Sequence, residues 1–205
     1  MKITLTENLK QKPDFKNLGF GKYFTDHMLY MEYVDGKWGE VEIRPFSDIA
    51  VNPASVVFHY GQEIFEGMKA YKNTDGKITM FRPRDNILRM NRSAKRLCMA
   101  ELPVDEVLEG IFELVRIEKD WIPTDPGTSL YIRPTMIANE NFLGVHPSKK
   151  YIFFVILSPV GSYYAHGLEP TRIYVEDVFN RAALGGTGEC KCGGNYAASL
   201  LAAEV

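Results

Sequence analysis

The chain has few of the features that mark secreted, membrane-spanning or polyanion-binding proteins. It contains only three cysteines among 205 residues, and Cys190 and Cys192 lie one residue apart, which argues against a disulfide framework and predicts a reducing compartment. The longest apolar run, Tyr151 to Leu157, is too short to cross a bilayer, and the N-terminus lacks the apolar stretch of a secretory signal. A formal net charge of −2 provides no basic surface for nucleic acid. These absences predict a soluble cytoplasmic protein with neither membrane nor nucleic-acid partners.

The residues that are present predict a folded protein with a substantial core, because 45% of them are hydrophobic. Strand patterns dominate the first third, where aromatic and aliphatic residues flank the turns Asp35-Gly36 and Asp75-Gly76 and predict two β-hairpins. Two further β-rich segments, 129 to 137 and 151 to 157, lie on either side of a later loop.

Apolar residues at helical spacing predict two helices between these strand regions. The first extends from Asn86 to about Met99 after a cap at Asp85, and the second begins at Glu106 after Asp105 and ends near residue 119. Strands and helices in this arrangement favour an α+β fold with an antiparallel sheet and packed helices.

The sequence also predicts a division of the chain into parts. We expect a small N-terminal α+β domain at 1–165, a linker at 166–170, and the beginning of a second domain at 171–205. The last part opens with the alternating segment TRIYVEDV, which is typical of a strand, but it is too short to bury a core of its own. We therefore expect the chain to be the N-terminal part of a longer protein.

The window from 185 to 194, GGTGECKCGG, is the most informative segment. It places a single cation, Lys191, among five glycines and two cysteines. Glycine is costly to order and is used where the backbone bends sharply or comes close to another group. Asn195 then opens a run of good helix formers, so the glycines lead into a helix N-terminus, where anions are stabilised.

Several interpretations of Lys191 compete. A nucleotide phosphate loop requires a Gly-Lys pair, which this window lacks. A zinc site requires four ligands, usually with Cys-x2-Cys spacing, and the third cysteine is the distant Cys98. An amine beside an anion site suits a phosphorylated aldehyde, as in pyridoxal phosphate chemistry. A solvated lysine on a glycine-rich loop is the plainest alternative, and the window alone leaves it open.

Six segments in order resemble the branched-chain-amino-acid aminotransferases, which are fold-type IV pyridoxal phosphate enzymes. They are FGKYFTDHMLYMEY (20 to 33), HYGQEIFEGMKAY (59 to 71), FRPRDNILRMNRSAKRL (81 to 97), SLYIRP (129 to 134), SPVGSYY (158 to 164) and GGTGECKCGGNYAASLL (185 to 201). The resemblance covers nearly the whole chain. It implies that the second domain, of which only the beginning is here, is a larger α/β-barrel-like domain.

The resemblance implies roles for three residues at the cofactor, pyridoxal 5'-phosphate. Lys191 is expected to form a Schiff base with it and to carry the proton between the substrate α-carbon and the cofactor. Arg89 is expected to bind the cofactor phosphate, and Tyr196 to hydrogen-bond its phenolic oxygen. Without the resemblance, Arg89 would be one of several cations on a solvated helix face.

For the substrates, the resemblance implies one pocket that receives a branched aliphatic side chain and, in the other half-reaction, the distal carboxylate of glutamate. Arg133, with Tyr60, is expected to engage that carboxylate. Five aromatic residues match the family's pocket wall: Phe20, Tyr60, Phe65, Tyr131 and Tyr163.

The implied function is transamination between L-leucine, L-isoleucine or L-valine and 2-oxoglutarate, by a protein that forms a homodimer at full length. A D-amino-acid aminotransferase and an aminodeoxychorismate lyase share the lysine and remain alternatives, and a non-catalytic fragment is an alternative of another class. The acidic partner of the pyridine nitrogen and further phosphate contacts are expected beyond Val205. We therefore expect these 205 residues alone to bind cofactor weakly and to be inactive.

Overall fold

The computed structural model describes residues 1–161, 170 and 172–204. Within these ranges the strands are β1 (Lys2–Ile3), β2 (His27–Val34), β3 (Lys37–Trp38), β4 (Glu42–Pro45), β5 (Glu63–Phe65), β6 (Met68–Lys72), β7 (Ile78–Met80), β8 (Ser129–Ala138) and β9 (Tyr151–Val160). The helices are α1 (Val56–Tyr60), α2 (Pro83–Arg96), α3 (Val104–Ile117), α4 (Gly193–Ala197) and α5 (Leu200–Ala203), with a 3-10 turn at Lys119–Trp121. The α+β class predicted from the sequence is confirmed.

The described strands form one mixed sheet in the order β1-β4-β2-β9-β8-β6-β7, with β3 paired to β2 and β5 paired to β8. Every pair is antiparallel except β1 with β4. The centre of the sheet is the pair β8 and β9, which stay in register from Ser129↔Val160 to Ala138↔Tyr151. The two β-rich segments predicted from the sequence are therefore neighbouring strands.

The central strands separate a core face from a second face, because successive side chains of a strand point to opposite sides. Leu130 and Ile132 of β8 are fully buried in the main core, together with apolar residues of α2 and α3. Tyr131 and Arg133 occupy the alternate positions, so they project to the other face. The alternation that builds the core thus also places these two side chains together.

Both predicted hairpins are present. β2 and β3 pair through Tyr33↔Trp38 across a turn in which Asp35 has φ 53° and Gly36 has φ 79°. Two successive residues of positive φ suit a tight hairpin turn whose twist matches that of the strands. β6 and β7 pair antiparallel around the second turn, where Gly76 also has positive φ.

Both long helices begin earlier than the sequence predicts. α2 begins at Pro83 rather than Asn86 because proline fits the first helical position, where its missing N–H is not needed. Asp85 is therefore not the cap and lies inside the first turn, where a negative charge favours the helix dipole. α3 likewise begins at Val104 rather than Glu106. No helix among the described residues combines the length and the apolar character needed to cross a membrane.

The strand predicted from the alternating segment TRIYVEDV is absent: residues 172 to 178 adopt no regular strand. A strand requires a neighbour to pair its backbone N–H and C=O groups, and no described strand lies beside this segment. Its apolar side chains are exposed instead, with Ile173 at 85% and Val175 at 81%. Apolar alternation alone was therefore insufficient evidence for a strand.

Helix α3 packs closely on the sheet at Gly110. A Cβ atom at this position would lie 2.6 Å from Leu29 Cδ1 of β2 and 2.8 Å from Val41 Cγ1. Both distances are shorter than a carbon–carbon contact allows, so the absence of a side chain sets the approach of the helix to the strands.

We expect Gly110→Ala to lower the free energy of unfolding by about 1–3 kcal/mol through overpacking. The loss should appear even though alanine is the better helix former by about 1 kcal/mol. Urea unfolding followed by circular dichroism measures the change, with Glu109→Ala on the exposed side of α3 as the control. An unchanged or higher midpoint would show that helix and sheet separate at no cost.

A buried polar cluster joins β2, the end of α3 and the N-terminal segment. The Thr6 N–H donates to His27 Nε2 at 2.9 Å, so the ring proton resides on Nδ1, which donates to Glu118 Oε1 at 2.6 Å. The same carboxylate oxygen accepts the His27 backbone N–H at 2.8 Å. Both side chains are almost fully buried. Three distant parts of the chain are therefore tied together by one carboxylate.

Glu118 should make stability depend on pH. Burial raises the pKa of its carboxyl above the ordinary value of 4.5, and the neighbouring Asp26 charge raises it further, although the hydrogen bonds from His27 lower it. A carboxyl with a raised folded pKa stabilises the fold below the unfolded pKa, and this contribution is lost as the pH rises through the folded pKa. We expect the wild type to lose stability relative to Glu118→Gln as the pH rises above 4.5. A difference in unfolding free energy that stays constant with pH would contradict this.

Candidate active site

The backbone around Lys191 runs along the free edge of β5. The Phe65 N–H donates to the Lys191 carbonyl oxygen at 2.9 Å. The side chains on either side of it, Cys190 and Cys192, are buried in the main core. Because extended backbone alternates its side chains, anchoring the two cysteines in the core turns the Lys191 side chain to the opposite side.

The Lys191 amine lies between two aromatic rings. Its Nζ donates to Tyr196 Oη at 2.7 Å and lies 4.6 Å from the centroid of the Phe65 ring and 5.0 Å from that of Tyr196. The two rings are 4.9 Å apart. Tyr196 reaches the amine because α4 begins at Gly193, earlier than the Asn195 start that the sequence predicts. The short helix thus returns the tyrosine hydroxyl to the lysine.

Arg89, on α2, is held by a fully buried carboxylate. Its Nε and Nη2 both donate to Glu66, the latter at 2.8 Å, and this pairing raises the pKa of Arg89. Glu66 is 0% exposed and also accepts the Gly67 N–H and Asn86 Nδ2, each at 3.0 Å. The Arg89 side chain itself is 47% exposed. Its guanidinium is therefore fixed in orientation while its outer edge faces solvent.

A cationic cavity of about 650 Å³ lies beside Arg89. It is lined by Arg89, Arg92, Ser93, Lys95, Arg96, Glu189 and Cys190. Arg96 donates to the carbonyl oxygens of Gly185 and Gly186, which fixes the glycine-rich window against α2. Four cations and one carboxylate form a donor set suited to an anionic group such as a phosphate. The cavity reaches Cys190, the residue before Lys191, so an amine and an anion site share one short segment.

Arg133 combines burial with an unused donor. Its Nη2 donates to Tyr131 Oη at 2.9 Å, and its guanidinium stacks on the rings of Phe65 (4.7 Å) and Tyr131 (5.1 Å). Its buried Nε has no hydrogen-bond partner within the described residues, and no carboxylate there forms an ion pair with it. A buried guanidinium N–H without an acceptor is suited to binding a carboxylate from a ligand.

Most of the predicted site residues form one continuous cluster. Phe20 packs edge-on against Tyr131 at 5.0 Å, which extends the contacts of Arg133 and Phe65 with Lys191. The cluster is made of Phe20, Phe65, Tyr131, Arg133, Lys191 and Tyr196. Arg89 joins it through α2, because Ser93, four residues further along the helix, accepts the Lys191 N–H at 3.1 Å.

Two predicted pocket residues are not part of this cluster. Tyr60 is 43% exposed at the end of α1, and its hydroxyl donates to the Leu143 carbonyl oxygen. In the part of the chain that is described, no hydrogen bond joins Tyr60 to Arg133, so their joint role stays a prediction. Tyr163 lies outside the described residues.

Sequence reasoning missed several residues that shape the site. Gly67 is required because a Cβ there would overlap the Tyr131 hydroxyl. Asn195 is buried, and its Nδ2 donates to the carbonyl oxygens of Thr187 and Cys190 at 2.7 Å, which closes the glycine-rich window. Ser93 and Glu66 were also missed. The only available signal was their position inside segments that carry the family resemblance.

Removing Arg89 should destabilise the fold, because it leaves the buried Glu66 charge without its cation. We expect Arg89→Ala to lower the unfolding free energy by about 1–3 kcal/mol, less than for a fully buried pair because the arginine is half exposed. Adding Glu66→Gln should restore part of the loss. Chemical unfolding measures both, with Arg92→Ala on the same helix as the control. An Arg89→Ala variant as stable as that control would contradict the role of the ion pair.

No family model matches the chain. Curated proteins do: the chain is 53% identical over 195 residues to branched-chain-amino-acid transaminase 1 of Bacillus subtilis (strain 168), covering 94% of this chain and 55% of that protein. It is 50% identical over 206 residues to branched-chain-amino-acid aminotransferase 2 of the same strain, covering 100% of this chain and 57% of that protein. The chain therefore spans little more than half the length of these relatives.

A solved structure gives the corresponding similarity in three dimensions. A branched-chain amino acid aminotransferase from T.th., complexed with N-(5'-phosphopyridoxyl)-L-glutamate, matches with a TM-score of 0.59 and 26% identity. The match covers 84% of this chain and 53% of that one.

Proposed function

The chain is a relative of the branched-chain-amino-acid aminotransferases over nearly its whole length, as its motifs predict, and we propose that it forms the lysine-bearing part of such an enzyme. The full-length protein would exchange the amino group between L-leucine, L-isoleucine or L-valine and 2-oxoglutarate. The observation that carries this proposal is the Lys191 amine, hydrogen-bonded to Tyr196 and next to the Phe65 and Arg133 side chains.

The proposed cofactor is pyridoxal 5'-phosphate, and the residues present fit it. The cationic cavity on α2 offers donors for a phosphate, and an amine follows in the same segment. When bound, pyridoxal phosphate supplies an aldehyde that condenses with amines and a conjugated ring that withdraws electrons from the substrate α-carbon. The similarity to a structure with a phosphopyridoxyl ligand supports the same assignment.

In this proposal the residues of the chain bind, orient and transfer protons. Lys191 Nζ takes up and returns the substrate α-proton, since a lysine amine can act as a base at a site rich in cations. Tyr196 holds Nζ in place through its hydroxyl and hydrogen-bonds the cofactor's phenolic oxygen. Arg89, kept in orientation by Glu66, contributes one edge of its guanidinium to the phosphate.

The substrate side chain would lie against the aromatic cluster. Phe20, Phe65 and Tyr131 form an apolar wall that excludes water from a branched aliphatic group. Arg133 binds the distal carboxylate of glutamate in the second half-reaction, since its Nε lacks an acceptor among the described residues. Tyr60 and Tyr163 complete the wall in this proposal.

We also propose that the full-length protein is a homodimer and that the domain boundary lies at 166–170. Apolar side chains are exposed where α1 meets the loop before β9, including Phe58 and Leu143, and Tyr60 lies at the same place. A patch of this kind is typical of an interface. Because the chain covers 55–57% of its relatives, it should bind cofactor only weakly by itself.

The function is tested in the full-length protein by following glutamate formation from L-leucine and 2-oxoglutarate. We expect Lys191→Ala to reduce turnover by at least about a thousandfold, because the residue that transfers the proton is removed. Lys37→Ala, at an exposed position of β3, should leave turnover unchanged.

Other amino donors distinguish the related activities. Turnover with D-alanine but not L-leucine would identify a D-amino-acid aminotransferase, and pyruvate release from aminodeoxychorismate would identify a lyase. Full activity in Lys191→Ala would contradict every version of the proposal.

A further inference from the structure

The segment that carries Lys191 is held at three backbone positions by groups from different elements. The Lys191 carbonyl oxygen accepts the Phe65 N–H of β5, and the Lys191 N–H donates to Ser93 Oγ of α2. Two residues further on, the Gly193 N–H donates to Glu63 Oε1, again on β5. The backbone is therefore fixed at the reactive residue and again just after it.

The contact between Glu63 and Gly193 leaves no room for any side chain at position 193. A Cβ built there would overlap the Glu63 carboxylate. Gly193 is also the first residue of α4, the helix that brings Tyr196 to the amine. One carboxylate thus fixes the point from which both the lysine segment and the tyrosine helix are oriented.

Glu63 has the environment of a working acceptor rather than of a surface charge. Burial raises the pKa of its carboxyl, while the Gly193 N–H and the positive charge of Arg133 lower it. No cation lies within ion-pair distance of Glu63 among the described side chains. Its direct partner there is a backbone N–H, and a partly buried carboxylate needs such a donor to offset its desolvation.

We propose that Glu63 is a positioning residue for the Lys191 amine, acting through the Gly193 N–H. The inference rests on the proposed function of Lys191. Glu63 does not touch the amine. It fixes the backbone that follows Lys191 and the start of α4, so that Nζ and the Tyr196 hydroxyl meet.

The proposal is tested on the chain with pyridoxal phosphate as the probe, followed by borohydride reduction and peptide mapping of the labelled lysines. Labelling at Lys191 is expressed relative to labelling at the exposed Lys37. Glu63→Ala removes the acceptor and should lower this ratio by about tenfold, the effect expected for one charge-assisted hydrogen bond. Glu63→Gln retains a carbonyl oxygen for Gly193 and should restore the ratio to within about threefold of the wild type.

A double-mutant cycle separates positioning from a general loss of structure. Gly193→Ala should lower the Lys191 labelling ratio strongly in the wild type but little in Glu63→Ala, where the carboxylate that it would overlap is absent. Equal effects in the two backgrounds, or a Glu63→Ala ratio equal to the wild type, would overturn the proposal. So would a Glu63→Gln ratio as low as that of Glu63→Ala.

Hydrogen exchange at the Gly193 amide provides a readout that needs no cofactor. It should be faster in Glu63→Ala and near the wild-type rate in Glu63→Gln, with the exchange of β8 amides unchanged in both. If wild-type labelling shows no preference for Lys191, the proposed function fails, and this exchange pattern still decides the positioning role. Equal Gly193 exchange in all three proteins would refute it.

Discussion

The long antiparallel pairing of β8 with β9 is the constraint on which the rest of the structure depends. Ten residues of each strand stay in register, and their alternation commits every second side chain to the helical core. The positions left over on β8 include Tyr131 and Arg133, which become neighbours of Phe65 only because β5 pairs to the same strand. Core packing and site geometry are therefore two results of one register.

The two arginines of the site differ in what satisfies them. Arg89 has a carboxylate partner within the chain, and Glu66 is so deeply buried that the pair is part of the fold as well as of the site. Arg133 has aromatic faces and a tyrosine hydroxyl but no carboxylate among the described residues. Burying a guanidinium without an anion is costly, so Arg133 is arranged for a ligand and Arg89 for orientation.

Local patterns predicted what depends on local physics. The Asp35-Gly36 turn, the β8 and β9 segments and the helix after the glycine-rich window all follow from turn chemistry or side-chain period. The partners of Lys191 do not, since Ser93 is 98 residues away in sequence and the Glu63 contact with Gly193 spans 130 residues. Pairing also decided the failure at 172 to 178, where alternation without a neighbouring strand formed none. The family resemblance supplied Arg89 and Tyr196, which no spacing rule would have selected.

The two cysteines that flank Lys191 have a chemical consequence. Both are buried, and burial raises the pKa of Cys190, whereas Cys98 is exposed. Thiol reagents attack the accessible thiolate, so the folded chain should present one reactive sulfur and conceal two. Any opening that releases the lysine segment from the core must also uncover Cys190 and Cys192. The chain thus contains its own chemical reporter of whether the lysine is correctly seated, readable by counting alkylated thiols.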